Sequence, residues 1–391
     1  MTHDIFDTKN KNLEVVPPGM SKSILLATRP LVPPWDEASK NFAYFLGREV
    51  IGHKLSLLTT QTPLVGLQEN TQQIPIFSSG HFTLFAKWAL FRYLRSVHNS
   101  FDVTHYIFTP TKTNTRLIKH LAFPTRGKTL QTVATLRQDL YSEADLRSML
   151  FADQLVVYTD RTKQSLLDLG FTNVARIYPG IDLKRYQKAP KNMDFIRSLG
   201  FDESHFLVMY PGEYTRLGAT DMLVESLTTF FLNNPETNIR FVFANRIKNA
   251  SDQEKKIQVQ TAFQKAGLEK FIAYSDTVPD MPSLYNSADV IAFPVVNLNG
   301  KFDVPLIIIE AYACGTPVIL SDLPQFSEFS NPEICVSIEA GSGQKFTESM
   351  AYLRDNPLIC ERLGQNARRY AEEYFDLTDT ARQYADIYSQ L

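Results

Sequence analysis

The sequence of 391 residues has few cysteines and no long apolar run. Its three cysteines, Cys314, Cys335 and Cys360, lie far apart, are odd in number and have no metal-ligand spacing, which is typical of a reducing cytoplasm. No segment reaches the roughly 18 uninterrupted apolar residues of a membrane span. The N-terminus is polar and mixed in charge, so it lacks the apolar core of a signal peptide, and residues 1–21 are expected to form a flexible leader. Secretion and membrane insertion are therefore not expected.

Several motifs are also missing. There is no G-x-G-x-x-G, so a nicotinamide enzyme gains no support. There is no D-x-D pair to hold a divalent metal on a diphosphate, and no carboxylate pair of the kind that ordinary glycoside hydrolysis needs. The net charge of −2 argues against a nucleic-acid partner. We therefore expect no metal and no nucleic acid.

The chain does contain a regular alternation of short β-rich runs and stretches of helical period, beginning at residue 22. Ten strands are predicted, at SILLAT, KLSLLT, VTHYIFT, LQTVAT, QLVVYT, HFLVMYPG, IRFVFAN, FIAYSD, VIAFPV and TPVILSD. Such alternation is typical of parallel sheets covered by helices on both faces. The sequence therefore predicts an α/β fold of two doubly wound domains facing a cleft, with ligands at the carboxyl ends of the strands.

The join between these domains is predicted within 178–195, which is rich in turn formers and charge. We expect an N-terminal domain at 22–187 and a C-terminal domain at 188–372. A last helix at 373–391 is expected to pack back on the N-terminal domain.

One carboxylate stands out in GKFDVPLIIIEAYACGTPVILSD, residues 300–322. Glu310 lies in a predicted helix that is apolar on nearly all sides, and a buried carboxylate needs a partner. The two adjacent hydroxyls of a ribose would satisfy it, and an ion pair with a Lys or Arg of a neighbouring element is the structural alternative. Asp303 suits the N-cap of this helix and Pro305 its first turn, so Asp303 is either a helix cap or a ligand contact.

The start of that helix and the ends of two strands favour an anionic ligand. Free backbone amides and the helix dipole attract negative charge. Gly212 forms the turn after one strand and precedes Arg216, while Arg246 and Lys248 follow the next strand. Arginine forks suit phosphate oxygens, although each of these charges alone is more often a solvated loop residue. Together they predict a diphosphate site at the strand ends of the second sheet.

Several segments together resemble one known family. ADQLVVYTDRTKQSLLDLGFTNVARIYPGIDLKRY, residues 152–186, resembles the segment that closes the first domain of GT-B-fold retaining glycosyltransferases of family four. LYNSADVIAFPV and IIIEAYACGTPVILSD match the donor-domain signature of that family, and PGEYTRLGATDMLVESL resembles its phosphate-binding loop more loosely. The resemblance covers most of residues 22–390 and is strongest at 280–325. It implies two Rossmann-like domains and a retaining enzyme that uses a nucleotide sugar without a cofactor.

The resemblance also implies roles for residues of this chain. Glu310 is the second glutamate of the family's E-x7-E element, which binds the donor ribose. Phe302 stands where the first glutamate is expected, so either Asp303 or the backbone amides of 303–306 are assigned the sugar contact. The remaining donor-binding residues belong to the phosphate loop, a strand end and the helix start: Gly212, Thr215, Tyr274, Val304, Pro305 and Leu306.

Two further positions depart from the family. Glu213 stands where the phosphate loop usually has an arginine, so the positive charge is assigned to Arg216 and Arg246, which with Asp303 are the predicted catalytic residues. Ala134 stands where such enzymes often have a histidine. These departures motivate a second hypothesis, a GT-B-fold protein that binds a nucleotide sugar with weak or lost activity. A sugar-nucleotide epimerase on the same fold is a third, but it needs several acid/base groups around the sugar, and the sequence shows no clear set of them.

The acceptor side is assigned to the N-terminal half. A Pro-rich loop with Trp35 follows the first strand, and His105 lies at another strand end, where it is either an acceptor-side residue or a buried structural histidine. Residues 85–128 contain eight Lys and Arg but a single acidic residue, Asp102. This basic region suits an anionic membrane surface or a lipid-linked phosphate acceptor, and a solvated helix face is the alternative.

The resemblance and the residues together predict a hexosyltransferase. The donor is expected to be a UDP-hexose such as UDP-glucose, and the acceptor a saccharide or a lipid-linked molecule in polysaccharide or glycolipid assembly. The protein is expected in the cytoplasm, with the inner face of the plasma membrane as the place where the basic region would act.

Overall fold

The computed structural model describes residues 21–33, 35, 37–276 and 280–391. Strands and α-helices alternate through this part of the chain. The strands are β1 Ser23–Leu31, β2 Lys54–Thr59, β3 Thr71–Pro75, β4 Val103–Tyr106, β5 Lys128–Val133, β6 Gln154–Val157, β7 Val174–Arg176, β8 Phe206–Tyr210, β9 Ile239–Phe243, β10 Ile272–Tyr274, β11 Val290–Phe293, β12 Val318–Ser321 and β13 Val336–Ile338. The helices are α1 Ala38–Glu49, α2 Leu84–Val97, α3 Lys112–Leu121, α4 Glu143–Met149, α5 Asp160–Asp168, α6 Met193–Ser198, α7 Thr220–Asn233, α8 Ala250–Lys265, α9 Met281–Ser287, α10 Leu306–Ala313, α11 Gly343–Asp355, α12 Pro357–Tyr374 and α13 Leu377–Gln390. The predicted leader lies outside the described residues except for Ser21.

The strands form two sheets. The first has seven strands in the order β3-β2-β1-β4-β5-β6-β7, and the second has six in the order β10-β9-β8-β11-β12-β13. β1 pairs in parallel with β2 and β4, and β8 pairs in parallel with β9 and β11. Because a parallel sheet is covered on both faces, central strands such as β8 and β11 are almost wholly apolar. The predicted α/β class with two parallel sheets is confirmed.

All ten predicted strands are present, and KLSLLT coincides with β2. Three further strands, β3, β7 and β13, were not predicted, and each lies at the edge of a sheet. Within the described residues, no helix combines the length and the apolar character needed to cross a bilayer.

The described chain divides into two compact units. The first holds the residues up to Thr132 together with Ser148–Leu155 and Ala381–Leu391, and the second holds Val133–Arg147 and Val156–Thr380. The domain boundaries predicted from the sequence stay predictions.

The core of the first unit contains a network of hydrogen-bonded polar side chains around His105. This histidine of β4 is fully buried, its Nδ1 lies 2.8 Å from the Tyr388 hydroxyl, and its Nε2 lies 2.7 Å from Thr132 Oγ1. Burial lowers the pKa of His105 to about 3, so the ring is neutral at physiological pH. The Thr132 hydroxyl is also 2.9 Å from the Tyr384 hydroxyl, so two turns of α13 are joined to β4 and β5 by hydrogen bonds.

We expect Tyr388→Phe to lower the free energy of unfolding by about 1–3 kcal/mol, because it leaves Nδ1 of buried His105 without a partner. Urea denaturation measures this change. Tyr352→Phe, which alters a half-exposed tyrosine of α11, is the matched control and should change stability by less than about 0.5 kcal/mol. Equal stability of the Tyr388→Phe and wild-type proteins would contradict a structural role for this hydroxyl.

Candidate active site

The loop after β8 is shaped by a close approach of Tyr210 to Gly212. A Cβ built on Gly212 would lie 2.0 Å from the Tyr210 ring, so only glycine fits while the ring keeps its place. The Tyr210 hydroxyl donates a hydrogen bond to the Glu213 carbonyl at 3.3 Å. The Gly212 amide donates to Asn245 Oδ1 at 3.1 Å, which joins this loop to the end of β9. The two loops are thereby fixed against each other.

Glu213 lies at the centre of this arrangement and binds three cations. Its Oε1 accepts from Arg216 Nη2 at 2.6 Å, from Lys248 Nζ at 2.6 Å and from Lys301 Nζ at 2.7 Å. Its Oε2 accepts from Arg216 Nε at 2.7 Å, so the guanidinium binds the carboxylate with both prongs. We call these four side chains the Glu213 cluster.

The three cations come from the carboxyl ends of three neighbouring strands. Arg216 follows β8, Lys248 follows β9 and Lys301 lies in the loop after β11. The strand order reverses between β8 and β11, and such a reversal is where open parallel sheets bind ligands. Arg216 Nη1 also donates to the Gly300 carbonyl at 3.1 Å, which ties the β8 loop to the β11 loop.

The electrostatics of the cluster favour an anionic ligand. Burial alone would raise the pKa of Glu213, but the hydrogen bonds of Arg216 and the charges of Lys301 and Lys248 outweigh it and hold that pKa well below its usual range. Burial lowers the pKa of Lys301, and the attraction of Glu213 offsets only part of this effect. Two like charges roughly 4–5 Å apart repel by about 3–4 kcal/mol at an effective dielectric constant of about 20. One carboxylate against three cations leaves a net charge of +2, and a diphosphate would reduce the remaining repulsion.

Two arginines, Arg216 and Arg246, were assigned from the sequence to the diphosphate site as a phosphate clamp. The structure places Arg216 in the Glu213 cluster. In the β9 loop it is Lys248, two residues after Arg246, whose ammonium group reaches Glu213. Lys301 was missed, although its position beside Gly300 in the loop before α10 was a signal that could have drawn attention to it. The assignment of Arg246 to the clamp stays a prediction.

Glu310, in the middle of α10, has tyrosine partners. Its Oε2 accepts a hydrogen bond of 2.7 Å from the Tyr285 hydroxyl, and Tyr186 donates a second hydrogen bond to the same carboxyl group. Both of these hydrogen bonds come from tyrosines, so neither is the ion pair with a Lys or Arg that the structural alternative requires. Burial raises the pKa of Glu310 to about 7 in spite of the two hydroxyl donors.

Of the two alternatives for Asp303, the structure excludes the cap of α10. This helix begins at Leu306, Pro305 is at the N-cap position, and no side chain caps the helix. The Asp303 carboxylate instead accepts from Thr162 Oγ1 at 2.7 Å and from the Leu136 amide at 3.4 Å. Two residues, Val304 and Pro305, separate Asp303 from the first residue of the helix. Burial raises the pKa of Asp303 to about 7.

Fewer backbone amides at the start of α10 are available to a ligand than the sequence suggested. Asp303 donates its amide to the Ala134 carbonyl at 2.9 Å, and Pro305 has no N–H. Of the amides of 303–306, those of Val304 and Leu306 are therefore the ones that a ligand could use. Phe302, which stands where the glutamate is expected, packs against Tyr158 in a T-shaped ring contact with centroids 5.6 Å apart.

The other residues assigned to the donor lie around the same strand ends. Thr215 donates its hydroxyl to Asp252 Oδ1 at 2.8 Å, which holds the β8 loop to α8. Tyr274, at the end of β10, stacks on Phe243 with ring centroids 5.8 Å apart. These contacts stabilise the loops, and the roles of Thr215 and Tyr274 in donor binding stay predictions.

Of the two residues assigned to the acceptor, Trp35 stacks on Tyr44 of α1 with ring centroids 4.2 Å apart. His105 is fully buried and both of its ring nitrogens are engaged, as described above. This geometry favours the structural alternative for His105 over contact with an acceptor.

Comparison with known proteins finds a family match within the second unit. Residues 193–370 match the family model described as glycosyl transferases group 1. The matched segment contains both the Glu213 cluster and Glu310.

One curated protein is similar to this chain in sequence, and two solved structures are similar to it in fold. D-inositol 3-phosphate glycosyltransferase of Paenarthrobacter aurescens is 24% identical over 241 residues, which are 59% of this chain and 56% of that protein. HepE of Anabaena in complex with UDP-glucose has a TM-score of 0.71 at 16% identity, over 95% of this chain and 100% of that one. Sucrose-phosphate synthase of Thermosynechococcus elongatus has a TM-score of 0.73 at 17% identity, over 94% and 98% of the two chains. The chain spans about half the length of the curated relatives that it matches.

The family match confirms the resemblance to group 1 glycosyltransferases that the sequence motifs indicate, and the solved structures confirm the GT-B fold. The family model and the curated relative are both described as glycosyltransferases.

The raised pKa of Glu310 gives a signed prediction about stability. This pKa is about 7 in the folded protein and near 4.5 when unperturbed, so the folded state binds more protons between these values and stability falls as the pH rises from about 4.5 to 7. Glu310→Gln removes the ionisation but keeps an oxygen that accepts from Tyr285. The loss of unfolding free energy between pH 5 and pH 8 should therefore shrink by about 2–3 kcal/mol.

Urea denaturation at the two pH values measures this difference, and Glu225→Gln on the exposed face of α7 is the control. Asp303 contributes pH dependence of the same sign, but it is present in all three proteins. An unchanged pH dependence in Glu310→Gln would show that Glu310 does not ionise in this range.

Proposed function

We propose that this protein transfers a hexose from a UDP-sugar, with retention of configuration, to a saccharide or lipid-linked acceptor. The observation that carries the proposal is the Glu213 cluster, which brings three cations to the switch point of the second sheet. A site of net positive charge at adjoining strand ends suits a diphosphate. HepE, which shares the fold, was solved with UDP-glucose, and this supports the choice of nucleotide.

In this proposal the donor lies across the strand ends of the second sheet. Its diphosphate contacts Arg216, Lys248 and Lys301. Its ribose hydroxyls donate to Glu310, whose two oxygens have more acceptor capacity than the tyrosines Tyr285 and Tyr186 use. A ribose that donates two hydrogen bonds favours the ionised carboxylate, so donor binding should lower the pKa of Glu310.

The chemistry asked of this site is stabilisation of a leaving diphosphate. Negative charge grows on the phosphate oxygen as the glycosidic bond breaks, and preorganised cations stabilise that charge. The leaving phosphate then helps to deprotonate the acceptor on the same face of the sugar, which is how retention follows without a protein nucleophile. Asp303 contributes by holding the loop before α10 to Thr162 and Leu136, so that the loop lies in a fixed position beside the sugar.

The second candidate function is a nucleotide-sugar binding protein with little or no turnover. Glu213, Phe302 and Ala134 stand where the family has an arginine, a glutamate and often a histidine, and they motivate this alternative. Incubation with UDP-, GDP- and ADP-sugars separates the two functions. Release of the nucleotide, even by slow hydrolysis, supports the enzyme, whereas tight UDP binding without release from any sugar nucleotide favours the binding protein.

We expect Lys301→Met to lower kcat/KM for UDP-glucose at least about tenfold, because one of three cations on the diphosphate is lost while the apolar stem remains. UDP release measures the rate. Lys345→Met, which alters an exposed lysine of α11 paired with Glu348, is the matched control and should leave the rate unchanged. Wild-type kinetics in Lys301→Met would reject the assignment of the cluster to the diphosphate.

A surface of the first unit supports contact with an anionic bilayer. The first turns of α2 expose Leu84, Phe85 and Trp88 to 80%, 85% and 60%. The guanidinium of Arg92 lies 4.8 Å from the centre of the Trp88 indole ring. Other residues of α2, such as Leu90, face the core, so Leu84, Phe85 and Trp88 are not needed for core packing.

Helix α3 packs beside α2 and, like α2, combines exposed apolar side chains with cations. It exposes Leu117 and Leu121 and carries Lys112, Arg116 and Lys119. Exposed aromatic and aliphatic side chains among cations fit the boundary between lipid headgroups and acyl chains. We propose that this surface docks on a bilayer containing anionic phospholipid, which would bring the protein to a lipid-linked acceptor.

We expect the wild-type protein to co-sediment with vesicles of phosphatidylcholine and phosphatidylglycerol, and Trp88→Ser to reduce the bound fraction several-fold because an interfacial aromatic side chain is lost. Arg92→Glu together with Arg95→Glu should reduce the fraction bound to these anionic vesicles, but not the fraction bound to vesicles of phosphatidylcholine alone. Leu358→Ser, at an equally exposed leucine of α12, is the control. Equal co-sedimentation of the wild type and all these variants would contradict the proposal that this surface docks on a bilayer.

A further inference from the structure

Glu213 is an unexpected residue to find at a phosphate site, because a carboxylate repels a diphosphate. Its burial shows how the two can coexist. The exposed fraction of the Glu213 side chain is 7%, against 37% for Arg216, 34% for Lys248 and 23% for Lys301. The cations therefore keep surface for a ligand, while the carboxylate lies beneath them.

We propose that Glu213 is a positioning residue that gathers cations from three strand ends into one diphosphate-binding cluster. The inference rests on the proposed function and extends it to a residue that touches neither the donor nor the reacting atoms. It also gives a reason for glutamate at a position where the family usually places an arginine. The positive charge of the site then comes from loops that Glu213 draws together.

The contacts support this role over simple charge balance. A single oxygen, Oε1, accepts from Arg216, Lys248 and Lys301, so the positions of all three donors are defined by one atom. Arg216 is further oriented by the second oxygen and by the Gly300 carbonyl. Lys248 and Lys301 end long flexible stems, and without the carboxylate the mutual repulsion of the cations would separate them.

The backbone that carries the Glu213 side chain is itself held in place by hydrogen bonds to buried groups. The Gly212 amide is bonded to Asn245, and the Glu213 carbonyl accepts from the Tyr210 hydroxyl and from the Thr220 hydroxyl at 3.4 Å. The backbone at 212–213 is therefore fixed by buried groups of β8, of the loop after β9 and of α7. A rigid support is what a positioning residue requires, since its own displacement would move every cation that it binds.

A charge-balancing role and a positioning role predict different kinetics for Glu213→Gln. This change raises the net charge of the cluster from +2 to +3. If Glu213 only balances charge, the variant should bind UDP more tightly and keep its kcat. If Glu213 positions the cations, UDP affinity should stay within about threefold of wild type, since the added charge offsets the lost order, while kcat for UDP-glucose should fall at least about tenfold.

The experiment compares wild type, Glu213→Gln, Glu213→Asp and the control Glu348→Gln, a carboxylate paired with Lys345 on the surface of α11. Calorimetry with UDP gives the affinity, UDP release from UDP-glucose gives kcat and KM, and thermal unfolding reports stability. We expect Glu213→Asp, which keeps the charge on a shorter stem, to recover part of kcat, and Glu348→Gln to match wild type. A wild-type kcat in Glu213→Gln would overturn the proposal, as would a parallel loss of stability, affinity and kcat that Glu213→Asp does not restore.

A crystal structure of the Glu213→Gln protein separates failure of this inference from failure of the proposed function. If the wild-type protein neither binds UDP nor releases it, the proposed function fails, but the arrangement of the cations still tests Glu213. We expect the ammonium groups of Lys248 and Lys301 to move away from residue 213 and from each other. Convergence of all three cations on the neutral side chain would overturn the inference, whatever the activity.

Discussion

The carboxylate of Glu213 and the three cations around it are the interaction on which the site depends. Three loops leave the ends of β9, β8 and β11, and without a shared partner their basic side chains would repel one another. A carboxylate buried under them, with its backbone fixed by Tyr210 and Asn245, makes the convergence favourable. The partial neutralisation leaves excess positive charge at the switch point of the sheet. A diphosphate is the chemical group that this excess best fits.

Much of the fold could be predicted because the central strands of parallel sheets are apolar on both faces. Runs such as FLVMY and VIAF are visible in the sequence for this reason. The three strands that were missed are edge strands: β3 is the polar run TQQIP, and β7 and β13 have three residues each. An edge strand pairs on one side and is less buried, so neither its length nor its composition separates it clearly from a loop.

The site was predictable where one local segment contains the signal. Gly212 and Arg216 follow a strand directly, and Glu310 stands out in an apolar helix. Convergence of distant loops was not predictable, because the meeting of Lys248 and Lys301 on Glu213 depends on how three strands are ordered. The sequence left Asp303 open between a helix cap and a ligand contact. The pattern Asp-x-Pro satisfies the local rule for a cap, but Thr162 and the Leu136 amide, far away in sequence, bind its carboxylate. The tyrosine partners of Glu310 were missed for the same reason.

The central claim is that the Glu213 cluster holds the diphosphate of a nucleotide-sugar donor. A crystal structure of the wild-type protein with UDP tests it most directly, because it locates the phosphates without any assumption about the sugar or the acceptor. The account predicts phosphate oxygens within hydrogen-bond distance of at least two of Arg216, Lys248 and Lys301, with the ribose hydroxyls on Glu310. Phosphates bound elsewhere, with the three cations still turned to Glu213 alone, would contradict it.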